Sequence, residues 1–276
     1  MSPQKTTAII NRFPPAVLLF FSLTIFCLLG LSAQAERPFE SETVSQLTAN
    51  RLRIDLGLDY SHLNAREDLV AFPTLGINYY AGSLVELQAY YDFLYRFTRN
   101  GTTVYGSGDL TLWTKMRFLS ESNSLPGLGL RFGVKLPNAN DDNGLGTDQT
   151  DFYASILAGK RIGRFENRIN LGIAILDDPF KQRGQQDMFT FAAASIISLS
   201  SRWQALADFY SQQGAEARFR YSKISAGVRH LTKEWIFDLA LKKGLRSQDK
   251  GYRNELSLDW GIVMGVSRFF DLSRDK

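Results

Sequence analysis

Cysteine is almost missing from this chain of 276 residues, and the one present, Cys27, lies in an apolar N-terminal run. A disulfide-stapled scaffold is therefore excluded. Histidine is nearly as scarce, with only His62 and His230. No histidine–carboxylate spacing suits a transition metal, and no cofactor motif stands out, so none of either is expected. Charge of one sign is also lacking. A formal net charge of +4 falls to +2 without Lys5 and Arg12, which argues against a nucleic-acid partner. After residue 31 no apolar run reaches the roughly 20 residues of a membrane helix.

The N-terminus is where apolar residues do collect. Lys5 and Arg12 precede an apolar run over residues 16–31, and Ala33-Gln34-Ala35 follows. This is the layout of a secretory signal peptide, residues 1–35, cleaved after Ala35. Residues 36–50 are mostly polar, with Phe39 the one aromatic side chain. They read as a periplasmic lead-in, or as a segment folded into the barrel mouth, and are too short for a plug domain.

From residue 51 the chain alternates. In ELSLDWGIVMGVSRFF, residues 255–270, Leu256, Leu258, Trp260, Ile262, Met264 and Val266 fall on one phase. Small, polar or charged residues fill the other. A period of two is a β-strand, and this one is longer than the five or six residues usual in soluble sheets. Residues 51–60 repeat the pattern, with Leu52, Ile54, Leu56 and Leu58 against Arg53, Asp55, Gly57 and Asp59. Ten further segments follow: 74–81, 84–97, 106–119, 128–137, 150–161, 164–176, 187–199, 203–212, 217–231 and 234–245. Segment 217–231 changes phase near Lys223, which suggests a bulge.

Strands without bilayer helices, in an exported chain, point to an all-β fold: a transmembrane antiparallel β-barrel of about 12 strands. Lipid offers nothing to unpaired backbone groups, so the sheet must close on itself. The connections read as up-and-down, with tight turns at 81–83, 162–163, 200–201 and 232–233. Longer polar loops are expected at 61–71, 138–149, 177–186 and 246–251. Short turns on one side and long loops on the other place both termini in the periplasm. The barrel spans residues 51–270, residues 271–276 form a periplasmic tail, and the location is the bacterial outer membrane. The expected partners are outer-membrane lipid and lipopolysaccharide, the barrel-assembly machinery during insertion, and a small-molecule solute.

Charged residues on the polar phase are the candidate lumen lining: Arg51, Arg53, Asp55, Asp59, Glu86, Asp92, Asp109, Lys115, Arg117, Arg131, Lys135, Asp151, Arg168, Asp238, Lys242, Glu255 and Asp259. Charges along a confined conduit select what passes. The bases gather toward the periplasmic half and several acids toward the outer half, a bias that Glu86, Glu166, Lys135, Arg96 and Lys242 interrupt, and this predicts a basic inner and an acidic outer vestibule. The aromatic residues read as interface girdles. His62, at the head of a loop, invites comparison with outer-membrane phospholipases, but no serine motif accompanies it. Asp141-Asp142-Asn143-Gly144 lacks calcium-loop spacing.

One region carries a resemblance. GSGDLTLWTKMRF, then LPGLGLRFGVKLPNANDDNGLGTDQTDFYASILAGKRIG, resembles the outer-membrane transporter family linked to the meta-pathway of phenol degradation. The likeness covers residues 106–175, with Lys135-Leu136-Pro137 and residues 146–152 its most specific pieces. Asn138 stands where the family often has glycine. The resemblance implies a barrel that takes up aromatic or apolar small molecules. The reading is thus a passive outer-membrane channel that catalyses nothing. Its rivals are a lipid-modifying barrel enzyme and a structural barrel with a blocked lumen.

Overall fold

The structure, a computed structural model, describes residues 38–46, 50–64, 67–81, 84–98, 100–140, 142–178, 184–216, 219–245 and 258–272. Its strands are β1 (Arg51–Asn64), β2 (Glu67–Ala81), β3 (Val85–Thr98), β4 (Thr103–Ser107), β5 (Leu110–Leu119), β6 (Gly127–Leu136) and β7 (Asp151–Ile162). They continue as β8 (Phe165–Asp178), β9 (Gly184–Ser198), β10 (Trp203–Gly214), β11 (Tyr221–Leu231), β12 (Trp235–Gly244) and β13 (Trp260–Asp271). Each pairs antiparallel with its sequence neighbour. β1 pairs with β13 from Arg51↔Asp271 to His62↔Trp260, and this closes the ring. Closure leaves the short β4, which pairs with β3 alone among the described strands, as the one place with a free strand edge.

β4 and β5 both pair with β3, so they are two halves of one barrel strand and the barrel has twelve. The break falls at Gly108 and Asp109. There the Gly108 N–H donates to the Asp92 carbonyl at 2.8 Å, and a Cβ on Gly108 would stand 2.9 Å from that oxygen. Only glycine fits so close an approach. The break flips the phase, so that Asp109, Thr111, Trp113, Lys115 and Arg117 share one face with Arg131 and Lys135 of β6.

The two faces are inverted relative to a soluble protein. Ile156, Leu171, Leu239 and Leu241 point outward and are exposed, whereas Asp55, Glu86, Lys115, Arg168 and Arg229 are buried inside. Aromatic side chains mark both rims of the outer face. His230 stacks on Trp203 at 4.5 Å near the turns, and Tyr60 and His62 pack on Trp260 at 5.4 and 5.6 Å near the loops.

Several boundaries differ from the periodicity. Residues 61–71 are not a loop: β1 continues to Asn64 and β2 begins at Glu67. His62 therefore sits on a strand, with Nδ1 2.6 Å from Asp68 Oδ1. A cluster of charged residues hid the two strands there. The register shifts instead at Phe72-Pro73, between Ala71 and Thr74, where proline has no N–H to give the ladder. β11 carries no bulge near Lys223, since its registers with β10 and β12 run unbroken. β13 begins at Trp260. Leu258, expected on the lipid face, is 6% exposed and lines the lumen with Val263. The signal peptide, Glu255, Leu256 and residues 273–276 lie outside the described residues.

Candidate functional site: a lumen crossed by the N-terminal segment

Residues 38–46 were expected beneath the barrel or at its mouth. They run through its interior instead, with Ser41, Glu42, Thr43 and Val44 all buried. The reason is polar complementarity. The Glu40 and Ser41 N–H groups donate to Asp208, each at 3.3 Å. The Glu42 N–H donates to Asn170 Oδ1 at 2.6 Å, and Asn170 Nδ2 returns a bond to the Glu42 carbonyl at 3.0 Å. Asn170 thus mimics a strand partner for a segment that belongs to no strand. A buried backbone needs such partners.

Side chains complete the anchoring. Lys115 Nζ lies 3.0 Å from Glu42 Oε1 and donates to the Ser45 carbonyl at 3.0 Å. Arg131 lies 3.4 Å from Glu42 Oε2, and Gln88 Nε2 donates to the same oxygen at 3.3 Å. Burial pushes the Glu42 carboxyl up, but Lys115, Arg131 and Arg53 outweigh it and hold the group at about 2, below its ordinary 4.5. Phe39 lies 5.6 and 5.8 Å from the guanidinium groups of Arg168 and Arg229. Val44 fits against Gly127, Gly129 and Gly159, where a Cβ would stand 3.3 to 3.6 Å from its methyl groups.

Most of the remaining inward charges are paired locally. Arg53 bonds Asp55 at 3.2 Å, and Asn78 donates to the same carboxylate. Lys115 meets Glu86 at 3.1 Å, Arg168 meets Glu166 at 2.8 Å, and Arg229 meets Asp238 at 2.6 Å. Lys242 bonds Asp59. Arg51 is half-buried at the start of β1, Asp92 lines the central space, and Arg117 borders a small recess beside Val44. Asp259 departs from the expected set: it pairs with Lys243, and both are half exposed. The bend before Trp260 turns Leu258 inward and leaves Asp259 with the outward phase.

At the loop end a second network forms. Lys135 Nζ reaches Asp109 and Asp151 at 3.1 Å each, and donates to Thr147 at 2.7 Å. Asp109 Oδ1 accepts the N–H groups of Asn138 and Ala139 at 3.1 and 3.0 Å. The connection between β6 and β7 is thereby latched over the barrel mouth, with Leu145 and Ala139 packed on Ala71 and Leu94. Gly146 has no room for a side chain, since its Cβ would stand 2.5 Å from that of Ala139. The residues that carry the family resemblance are those of this latch. Lys135 and Lys242, the two lysines that interrupt the acidic bias of the outer half, pair with Asp109, Asp151 and Asp59 and balance those acids locally.

Between this latch and the strap formed by residues 38–46 lie two adjoining spaces of about 390 and 470 Å³. Their walls are aromatic as well as charged. Arg131 stacks over Trp113 at 3.9 Å, Trp113 packs on Tyr153 at 5.5 Å, and Tyr210 packs on Tyr221 at 5.4 Å. These rings, expected at the membrane interface, face the lumen. The candidate lining left out Asn78, Gln88, Asn170 and Asp208, although all four fall on the polar phase of their segments, and it left out Lys223 and Arg229. The uncharged members carried no signal beyond phase, and the supposed bulge hid Arg229. His62, weighed as a catalytic base, points outward, while its neighbour Ser61 points inward and donates to Asp59 at 3.0 Å. The two cannot pair.

No protein-family model and no curated protein sequence matches this chain. Solved structures do. One is the COG4313 outer membrane channel of Pseudomonas putida F1, with a TM-score of 0.63 at 12% identity, covering 82% of this chain and 97% of that one. Another is the NanC porin, with a TM-score of 0.55 at 7% identity, covering 78% and 98%. At these identities the likeness is one of architecture: this chain has the closed barrel fold of outer-membrane channels.

Proposed function

We propose that the protein is an outer-membrane channel for passive uptake of small molecules. The observation that carries this is the inverted polarity of the barrel, apolar outside and charged inside, around a chamber with room for a solute. A sheet with that polarity suits lipid on one side and water on the other. In this reading both termini and the short turns face the periplasm, and the latched loop faces outward. Lipopolysaccharide surrounds the loop-end rim, and the barrel-assembly machinery inserts the chain.

Aromatic or apolar compounds are the proposed solutes. Trp113, Tyr90, Tyr153, Tyr210 and Tyr221 support that choice, and so does the resemblance to the phenol meta-pathway family. The strap favours one rival specifically, a structural barrel with a blocked lumen. Planar-bilayer recording of the purified protein separates them. Discrete conductance steps are expected. A lipid-inserted, folded barrel that never conducts would establish the blocked reading instead.

A further inference from the structure

The strap's Glu42 sits in its cradle as a ligand sits in a site. We propose that Lys115, Arg131 and Gln88 form a binding site for a small organic carboxylate, which the protein's own Glu42 side chain occupies until a solute carboxylate displaces it. The inference rests on the channel reading only for how the solute arrives.

Charge balance supports this. Around the cradle stand three cations, Arg53, Lys115 and Arg131, and three carboxylates, Asp55, Glu86 and Glu42. Five of these six side chains belong to barrel strands and are fixed by them. Glu42 alone belongs to the strap. Withdrawing it leaves one unit of positive charge in a confined space, a cost that a second carboxylate removes. Lys115 and Arg131 approach the two Glu42 oxygens separately, and Gln88 adds a donor on the second. That geometry reads a planar carboxylate and not a halide.

The surroundings extend the argument. Arg131 also lines the chamber, as do Trp113 beneath its guanidinium and Tyr90. A carboxylate seated on Lys115 and Arg131 would project its organic part against these rings. Entropy permits the exchange. The strap is held by polar contacts, by the Phe39 ring near Arg168 and Arg229 and by Val44, with no strand ladder of its own, so its local opening is easier than that of the barrel.

The test uses the full-length mature protein in detergent, titrated calorimetrically with sodium benzoate and, separately, with benzamide. The neutral amide keeps the ring and lacks the charge. Wild type should bind benzoate weakly, because Glu42 competes. Glu42→Gln should bind benzoate roughly tenfold more tightly, as removal of a competing unit charge from a confined site implies. Benzamide should gain nothing. Adding Lys115→Gln to Glu42→Gln should abolish the gain. Glu42→Asp, whose shorter carboxylate stays charged but reaches less far, should fall between and guards against misfolding of the glutamine variant. Equal benzoate affinity in wild type, Glu42→Asp and Glu42→Gln would overturn the proposal, as would an equal gain for benzamide. Bilayer recording of the same preparations keeps the two readings apart. Binding without conductance defeats the channel, and conductance without selective benzoate binding defeats the site.

Discussion

The two ends of the lumen are built on opposite plans. The turn end is filled. Strap and strand side chains interlock there, and pairs such as Arg229–Asp238 are 1% exposed on both partners. The loop end is roofed but hollow, with its charges bordering the chamber; in the Lys242–Asp59 pair the aspartate is 31% exposed. The same chemistry, a lysine or arginine facing an aspartate, therefore works under different dielectric conditions a few residues apart on one barrel. A dry pair is costly to break because the survivor is stranded, whereas a wetted pair is replaced by water.

The largest effect should come from breaking a dry pair. Asp238→Ala leaves the Arg229 guanidinium buried between β11 and β12, and should cost about 3–5 kcal/mol. Urea-induced unfolding of the protein in lipid vesicles measures it. A cost under about 1 kcal/mol would mean that water reaches the turn end after all.

Acid should release the strap before the barrel. Glu42 is held at about 2 in its cradle against an ordinary 4.5. A carboxyl depressed on docking stabilises the docked state fully above the undocked value and loses that contribution as pH falls through the docked value. Docking should therefore weaken between about pH 4.5 and pH 2, by roughly 3 kcal/mol in all. A spin label at Ser45→Cys, exposed at the end of the strap, reports this as increased mobility in electron paramagnetic resonance. Circular dichroism should hold its strand signal. Unchanged mobility down to pH 2, or the same transition in Glu42→Gln, would refute the link.

The barrel was legible in the sequence because membrane strands must alternate, and alternation survives without knowledge of the partner strand. Twelve strands follow from it, and so does the inward phase of Asp55, Glu86, Lys115 and Arg168. The strap was not legible, because a segment paired by side chains such as Asn170 and Asp208 needs no period. A trace of it was present even so. Arg53, Lys115, Arg117, Arg131 and Arg168 crowd the turn half, and an excess of cations in a closed space calls for acids from elsewhere. Glu42, in the preceding segment, supplies one to Lys115 and Arg131. The chamber's aromatic walls were missed for a simpler reason: in a barrel both faces accept a ring, and only the phase tells Trp113 from a girdle residue.

At the loop end an apolar contact should matter less than the dry ion pairs do. Leu145 is 3% exposed against Ala71, Leu94 and Ala139. Leu145→Ala should loosen the latch at a cost of about 2 kcal/mol, at the low end for a buried leucine because a loop can relax into the space. Hydrogen exchange should rise across residues 138–149 and stay unchanged in β6 and β7. Exchange that spreads into those strands would show that the latch holds up the barrel and is not merely seated on it.

The smallest effect should be that of Lys242→Met. Lys242 Nζ lies 2.6 Å from Asp59 Oδ2, a distance that would suggest a strong bond if it were dry. Asp59 faces the chamber, however, and its carboxylate keeps access to water when the lysine is gone. The methionine retains most of the buried stem, so packing is nearly preserved. The cost should stay below about 1 kcal/mol. Measured beside Asp238→Ala under the same conditions, the variant sets the contrast between the two ends on one scale. If both substitutions cost the same, burial at the turn end is not what distinguishes them, and the account of a filled end and a hollow end fails.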